Sequence, residues 1–186
     1  VLEITRDAFK RHLNPGARMV PARLRVFGLP VPRPEKEIGE STFTPKLAAK
    51  WAEWYGLDFS TLTQPAEEGI TFLNMLDNKV RDLGALAPPV LFGEIDLATN
   101  RDLVFDVSGS TVVSEEGVVG GIAIYFELGL AQGIQLSNDP AKAGGTNHWA
   151  NPVGILPVPV TVAAGDELEI MYRFGGMKAE LTCVRR

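Results

Sequence analysis

The stretch Val118-Val119-Gly120-Gly121-Ile122-Ala123-Ile124-Tyr125-Phe126-Glu127-Leu128 sets the reading of the whole chain. It is rich in β-branched and aromatic residues, it contains no proline, and it alternates. Ile122, Ile124, Phe126 and Leu128 fall on one face at the two-residue period of a strand. Tyr125 and Glu127 point the other way, so the second face is expected to meet solvent or a groove. A long strand of this kind needs neighbours to pair with its backbone.

The flanking sequence supplies them. Val90–Leu97, Asp102–Val107, Thr111–Val113, Gly133–Leu136, Val153–Val160, Glu167–Phe174 and Lys178–Val184 all read as strands. Ser108-Gly109, Glu115-Glu116-Gly117 and Gly165-Asp166 read as the turns between several of them. Short strands at this density, with no internal repeat, predict a mainly β chain folded as an antiparallel sandwich or barrel.

The amino-terminal third is different. Leu2, Phe9 and Leu13 share a helical face, and Asn14-Pro15-Gly16 stops that helix. Arg23-Leu24-Arg25-Val26 alternates as a strand, and Pro30, Pro32 and Pro34 are expected to end its pairing. Thr44-Pro45 then offers an N-cap and a proline in the first turn, Leu47, Trp51, Trp54 and Tyr55 recur at helical spacing, and Gly56 closes the run. Residues 69–87 fit either period and receive no assignment.

Composition excludes several functions. With 45% hydrophobic and 22% charged residues the chain can bury a real core and is expected to be soluble. A formal charge of −5 without any Lys/Arg-rich run argues against a nucleic-acid partner, which needs clustered positive charge. Apolar runs fall short of a membrane span. The first residues lack the pattern of a signal peptide, and they lack an initiator methionine, as an excised piece of a longer chain would. Cys183, the only cysteine, cannot form an internal disulfide and reads as a buried thiol in a reducing compartment, so a cytoplasmic location is expected.

Groups able to do chemistry are few. His12 and His148 are the only histidines, too few for a histidine-based metal site, and no CxxC, HExxH or GxGxxG motif is present. No metal or cofactor is therefore assigned. Glu115-Glu116 precedes a glycine and reads as a solvated hairpin tip, and Cys183 has no local cation or histidine to activate it. The informative segment is Gly144-Gly145-Thr146-Asn147-His148-Trp149-Ala150-Asn151-Pro152, a polar loop running into an apolar strand. By itself His148 is equally compatible with packing and with a catalytic or ligand role.

Asn147 to Ile170, NHWANPVGILPVPVTVAAGDELEI, resembles the threonine-histidine-tryptophan loop of protein arginine methyltransferases and the strand, turn and strand that follow it. Val118–Leu128 is similar to the family's strand rich in aromatic and small residues. Trp54-Tyr55-Gly56-Leu57-Asp58-Phe59-Ser60 resembles a segment of its dimerisation arm. The order agrees too, and the likeness covers nearly the whole chain. Asn147 stands where the family has threonine, and Ala150 and Asn151 replace larger polar residues.

The resemblance implies an antiparallel β-barrel over residues 23–186, a helical dimerisation arm at about 34–68, and in 1–22 the remnant of a preceding cofactor domain. It implies a homodimer formed through Trp51, Trp54, Tyr55, Leu57 and Phe59, and a protein substrate whose arginine side chains face His148 and Trp149. His148 would act in a supporting catalytic role, paired with a carboxylate outside this chain. The S-adenosylmethionine loop and the paired glutamates that grip the guanidinium belong to that preceding domain, so the chain alone is expected to be inactive. A free-standing β-barrel binding or assembly module is the alternative.

Overall fold

The computed structural model describes residues 2–14, 16–63, 72–142, 149–175 and 178–186. Among the described residues, nine strands form two antiparallel sheets: β1 (Arg23–Pro32), β2 (Phe72–Met75), β3 (Val90–Asp96), β4 (Phe105–Val112), β5 (Gly117–Ala131), β6 (Ile134–Ser137), β7 (Asn151–Val162), β8 (Glu167–Gly175) and β9 (Lys178–Arg185). The larger sheet runs β2-β7-β5-β1-β3, with β6 also on β5, and the smaller runs β4-β8-β9. Helices α1 (Leu2–Arg11) and α4 (Asp77–Leu83) belong to the same compact unit. A second unit, Pro34–Gly69, carries α2 (Glu35–Ser41) and α3 (Pro45–Tyr55). The chain is thus mainly β with a helical insertion. Among the described residues no helix is long and apolar enough to cross a membrane.

The core joins the inner faces of the sheets. Phe92, Val119, Ile122, Leu156, Leu168, Ile170 and Leu181 are buried in one cluster. Burial of each large aliphatic side chain stabilises the fold by about 1.5–3 kcal/mol. The two sheets also meet at their edges. Thr111 Oγ1 donates to Pro88 O at 2.9 Å beside β3 and β4, and a Cβ on Gly109 would lie 2.4 Å from Val90. Near β7 and β9, a Cβ on Gly154 would lie 2.6 Å from Leu181. Glycine occupies these positions because the neighbouring strand leaves no room for a side chain.

The structure corrects several expectations. β1 runs through Pro30 and Pro32, which pair with Ile122 and Val119 of β5. Its pairing with β3 ends at Gly28, and Pro30 O faces away from β5 to accept from Leu86 N at 3.0 Å. A residue's N–H lies on the same side as its C=O, so Pro30 lacks only a donor that β5 does not need, and Pro32 pairs beyond an irregularity in the ladder between Val31 and Pro32. Ser108-Gly109 is no turn: β4 passes straight through it, opposite Met171 and Ile170. The second face of β5 meets a groove: Ala123 and Tyr125 are themselves buried, Tyr125 stacks on Phe27 with ring centroids 4.8 Å apart, and Tyr125 lines a cleft. Within the unassigned 69–87, the described residues form β2 and α4.

Candidate functional site

Two regions carry the candidate residues, and each is described within its own unit. In the Pro34–Gly69 unit, Thr44 accepts a hydrogen bond from Leu47 N at 3.2 Å and starts α3, while Gly56 ends it at a positive φ of 66°. That left-handed turn costs glycine little and sends the chain back along the helix. Asp58 Oδ1 then accepts from Ser60 N, and this hydrogen bond holds the exposed Asp58 carboxyl below its usual range.

The return brings Phe59 under α3. Its ring lies 5.4 Å from Trp51 and 6.1 Å from Tyr55, and Phe43 sits edge-on to Trp51 at 5.0 Å. Each edge-to-face pair adds about 0.5–1.5 kcal/mol beyond the area buried. Phe43 was missed from the sequence because it precedes the helix and shares none of its periodicity. The cluster leaves an apolar rim uncovered: Trp54 is 58% exposed, Tyr55 62% and Leu57 62%. Lys50 sits 4.4 Å above the Trp54 ring, so the rim has one cationic edge.

The second region lies where β5 and β6 meet the start of β7. His148 falls outside the described residues; Trp149 is described, and its ring lies 5.2 Å from that of Phe126. Phe126 shares a face of β5 with the core residue Ile122. On the opposite face Arg25 and Glu127 are cross-strand partners, joined by Arg25 Nη1 to Glu127 Oε2 at 2.7 Å. Lys142 Nζ reaches Glu127 Oε1 at 2.8 Å and Asp139 Oδ2 at 3.3 Å. The Lys142 hydrogen bond is the main cause holding Glu127 below the usual carboxylate range, and the same bond raises Lys142. Burial, with the nearby Asp139 and Glu127 charges, raises the Tyr125 phenol. Tyr125 lines a cleft of about 390 Å³ with Leu29, Val80 and Asp139.

Burial pushes the Cys183 thiol up to about 11, which suppresses the reactive thiolate at neutral pH. Glu115 and Glu116 are exposed beside the start of β5. No cluster of metal-ligating side chains occurs among the described residues.

Known proteins place this architecture. The arginine methyltransferase oligomerization subdomain matches residues 37–178. The chain belongs to this family. An arginine N(omega)-methyltransferase from Streptomyces achromogenes subsp. streptozoticus is 28% identical over 171 residues, covering 91% of this chain and 43% of that protein. Two solved structures share the fold at a TM-score of 0.65. One, the Trypanosoma brucei PRMT1 enzyme-prozyme heterotetrameric complex with AdoHcy, is 15% identical and matches 99% of this chain and 59% of that one. The other, Arabidopsis thaliana protein arginine methyltransferase 10 in an open conformation, is 19% identical and matches 100% and 61%. This oligomerization subdomain therefore spans less than two thirds of each of these relatives. Its match contains both the aromatic cluster and the His148-Trp149 segment.

Proposed function

We propose that this chain is the dimerisation and substrate-facing part of an S-adenosylmethionine-dependent protein arginine methyltransferase. The observation that carries the reading is the partly uncovered aromatic cluster of Trp51, Trp54, Tyr55, Leu57 and Phe59, held on a self-contained helical unit inside an oligomerization subdomain. Exposed aromatic side chains at this density are what a subunit interface uses, because they bury much apolar area for little lost conformational freedom. A symmetric homodimer follows, each copy offering the same face.

The finer architecture we propose is a barrel, closed where β3 meets β4 and where β9 meets β7. The edge contacts at Pro88–Thr111 and Gly154–Leu181 support it. On this reading residues 1–22 are the tail of a preceding cofactor domain, 23–186 are the barrel and about 34–68 the dimerisation arm. The barrel then forms one wall of a groove for arginine-bearing protein substrates. Trp149 is set against Phe126, and the role we propose for His148, its neighbour in sequence, is to orient a carboxylate from the cofactor domain. S-adenosylmethionine, bound by that preceding domain, supplies the methyl group. A cytoplasmic location fits the single unreactive thiol.

Joining the chain to the sequence that precedes it tests the reading. The longer protein is expected to methylate arginine in a protein substrate, whereas the 186-residue chain is expected to give no heat with S-adenosylmethionine in calorimetry. Saturable micromolar binding by the chain alone, equivalent to about −8 kcal/mol, contradicts the proposal. A start codon immediately before Val1 favours the free-standing module instead.

A further inference from the structure

We infer that Asn138 and Asn151 are positioning residues, a buried amide clasp that seats Trp149 and holds together the two ends of the intervening loop. Their contacts form a closed chain. Phe126 N donates to Asn138 Oδ1 at 2.7 Å and Asn138 N donates to Phe126 O at 3.3 Å, which extends the β5–β6 ladder by one residue. Ser137 Oγ also reaches Phe126 O at 3.1 Å and accepts from Asp139 N at 3.1 Å. Asn151 Nδ2 then donates to Asn138 O at 2.9 Å across the loop's two ends. Phe126, gripped by Asn138, is the residue whose ring meets Trp149.

Burial separates this from ordinary loop polarity. Asn138 is 1% exposed and Asn151 0%. Asn138 Nδ2 and Asn151 Oδ1 are buried with no partner among the described residues. An orphaned buried polar atom costs about 1–3 kcal/mol, a cost that an apolar side chain at either position avoids. The bonds these amides do make, to Phe126 N and to Asn138 O, fix the geometry of the site. Asn151 is also pinned through its backbone, because it pairs with Met75 of β2 and begins β7. The clasp thus ties β2, β5, β6 and β7 to the base of the segment that carries His148 and Trp149.

The functional meaning of the clasp rests on the reading given above, but its test does not. In a Trp51→Phe, Trp54→Phe background Trp149 is the remaining tryptophan. Trp149 is already 45% exposed, so acrylamide quenching of its fluorescence is expected to rise up to about twofold in Asn151→Ala and Asn138→Ala, towards the free-indole limit. Ile170→Ala, a destabilising change in the core, should leave it unaltered, and Asn151→Gln, which retains the donor, should recover part of the loss. Folded alanine variants with unchanged quenching overturn the inference. Should neither alanine variant fold, hydrogen exchange of the unaltered chain decides: the Phe126 and Asn138 amides must be as protected as that of Ile122, and fast exchange there also overturns it. A longer protein that failed to methylate would remove the proposed function while leaving these outcomes intact.

Discussion

Lys142 Nζ lies 2.8 Å from Glu127 Oε1, and Arg25 takes the other carboxylate oxygen at 2.7 Å. Glu127 is a nearly buried strand residue while Lys142 is 63% exposed, so the pair is screened on one side only. The folded state lowers the Glu127 pKa. Its contribution to stability is therefore present above the unfolded value, about 4.3, and is lost as pH falls through the lower folded one. Lys142→Met should move the carboxyl back up, so that acid-side destabilisation begins at higher pH, with a loss at neutral pH of at most about 1 kcal/mol. Carbon NMR titration of Glu127 together with urea melts across the acid range checks both; an unmoved titration assigns the lowering to Arg25.

Gly120 lies where β5 crosses the backbone after β1. A Cβ there would sit 2.4 Å from Arg33 Cβ and 2.8 Å from Arg33 N and Cα, and main-chain atoms cannot step aside. Gly120→Ala should destabilise by about 1–3 kcal/mol through overpacking. Gly39→Ala, which meets nothing within 4 Å, serves as the comparison and should be neutral or slightly stabilising. Equal urea midpoints for the two variants contradict the packing described.

How much was legible in the sequence followed from how local the signal was. α3 is written in full: Thr44, Pro45 and Gly56 mark its ends by backbone chemistry that needs no tertiary context. β5 and β7 were readable from their β-branched runs, and β8 from the alternation of Leu168, Ile170, Tyr172 and Phe174. What failed depended on partners. Pro30 of β1 is tolerated because of which side lacks a neighbour, and Ser108-Gly109 stays extended because β8 pairs with it. α2, β2 and α4 are too short to establish a period. For the site, Trp51 and Trp54 stood out by spacing, whereas Phe43 and the Asn138–Asn151 contact join the region only after folding.

His148 bears on the chemistry proposed for the longer protein. His148→Ala there should lower methylation turnover about a hundredfold, the usual cost of losing an acid/base or orienting group, and leave the thermal midpoint unchanged. Undiminished methylation by the alanine variant returns His148 to a packing role.

The central claim is that the aromatic face of the helical unit is a subunit interface, and the mass of the chain in solution tests it most directly. Sedimentation equilibrium of the 186-residue chain should give a dimer in the high micromolar range, and Trp51→Ala with Trp54→Ala should return it to a monomer with its β-sheet circular dichroism intact. Loss of Trp54 from the interface and of Trp51 from the cluster that supports it, at about 2 kcal/mol or more each, weakens association at least several hundredfold. A wild-type chain that remains monomeric at these concentrations, or a dimer that the double change leaves untouched, contradicts the account.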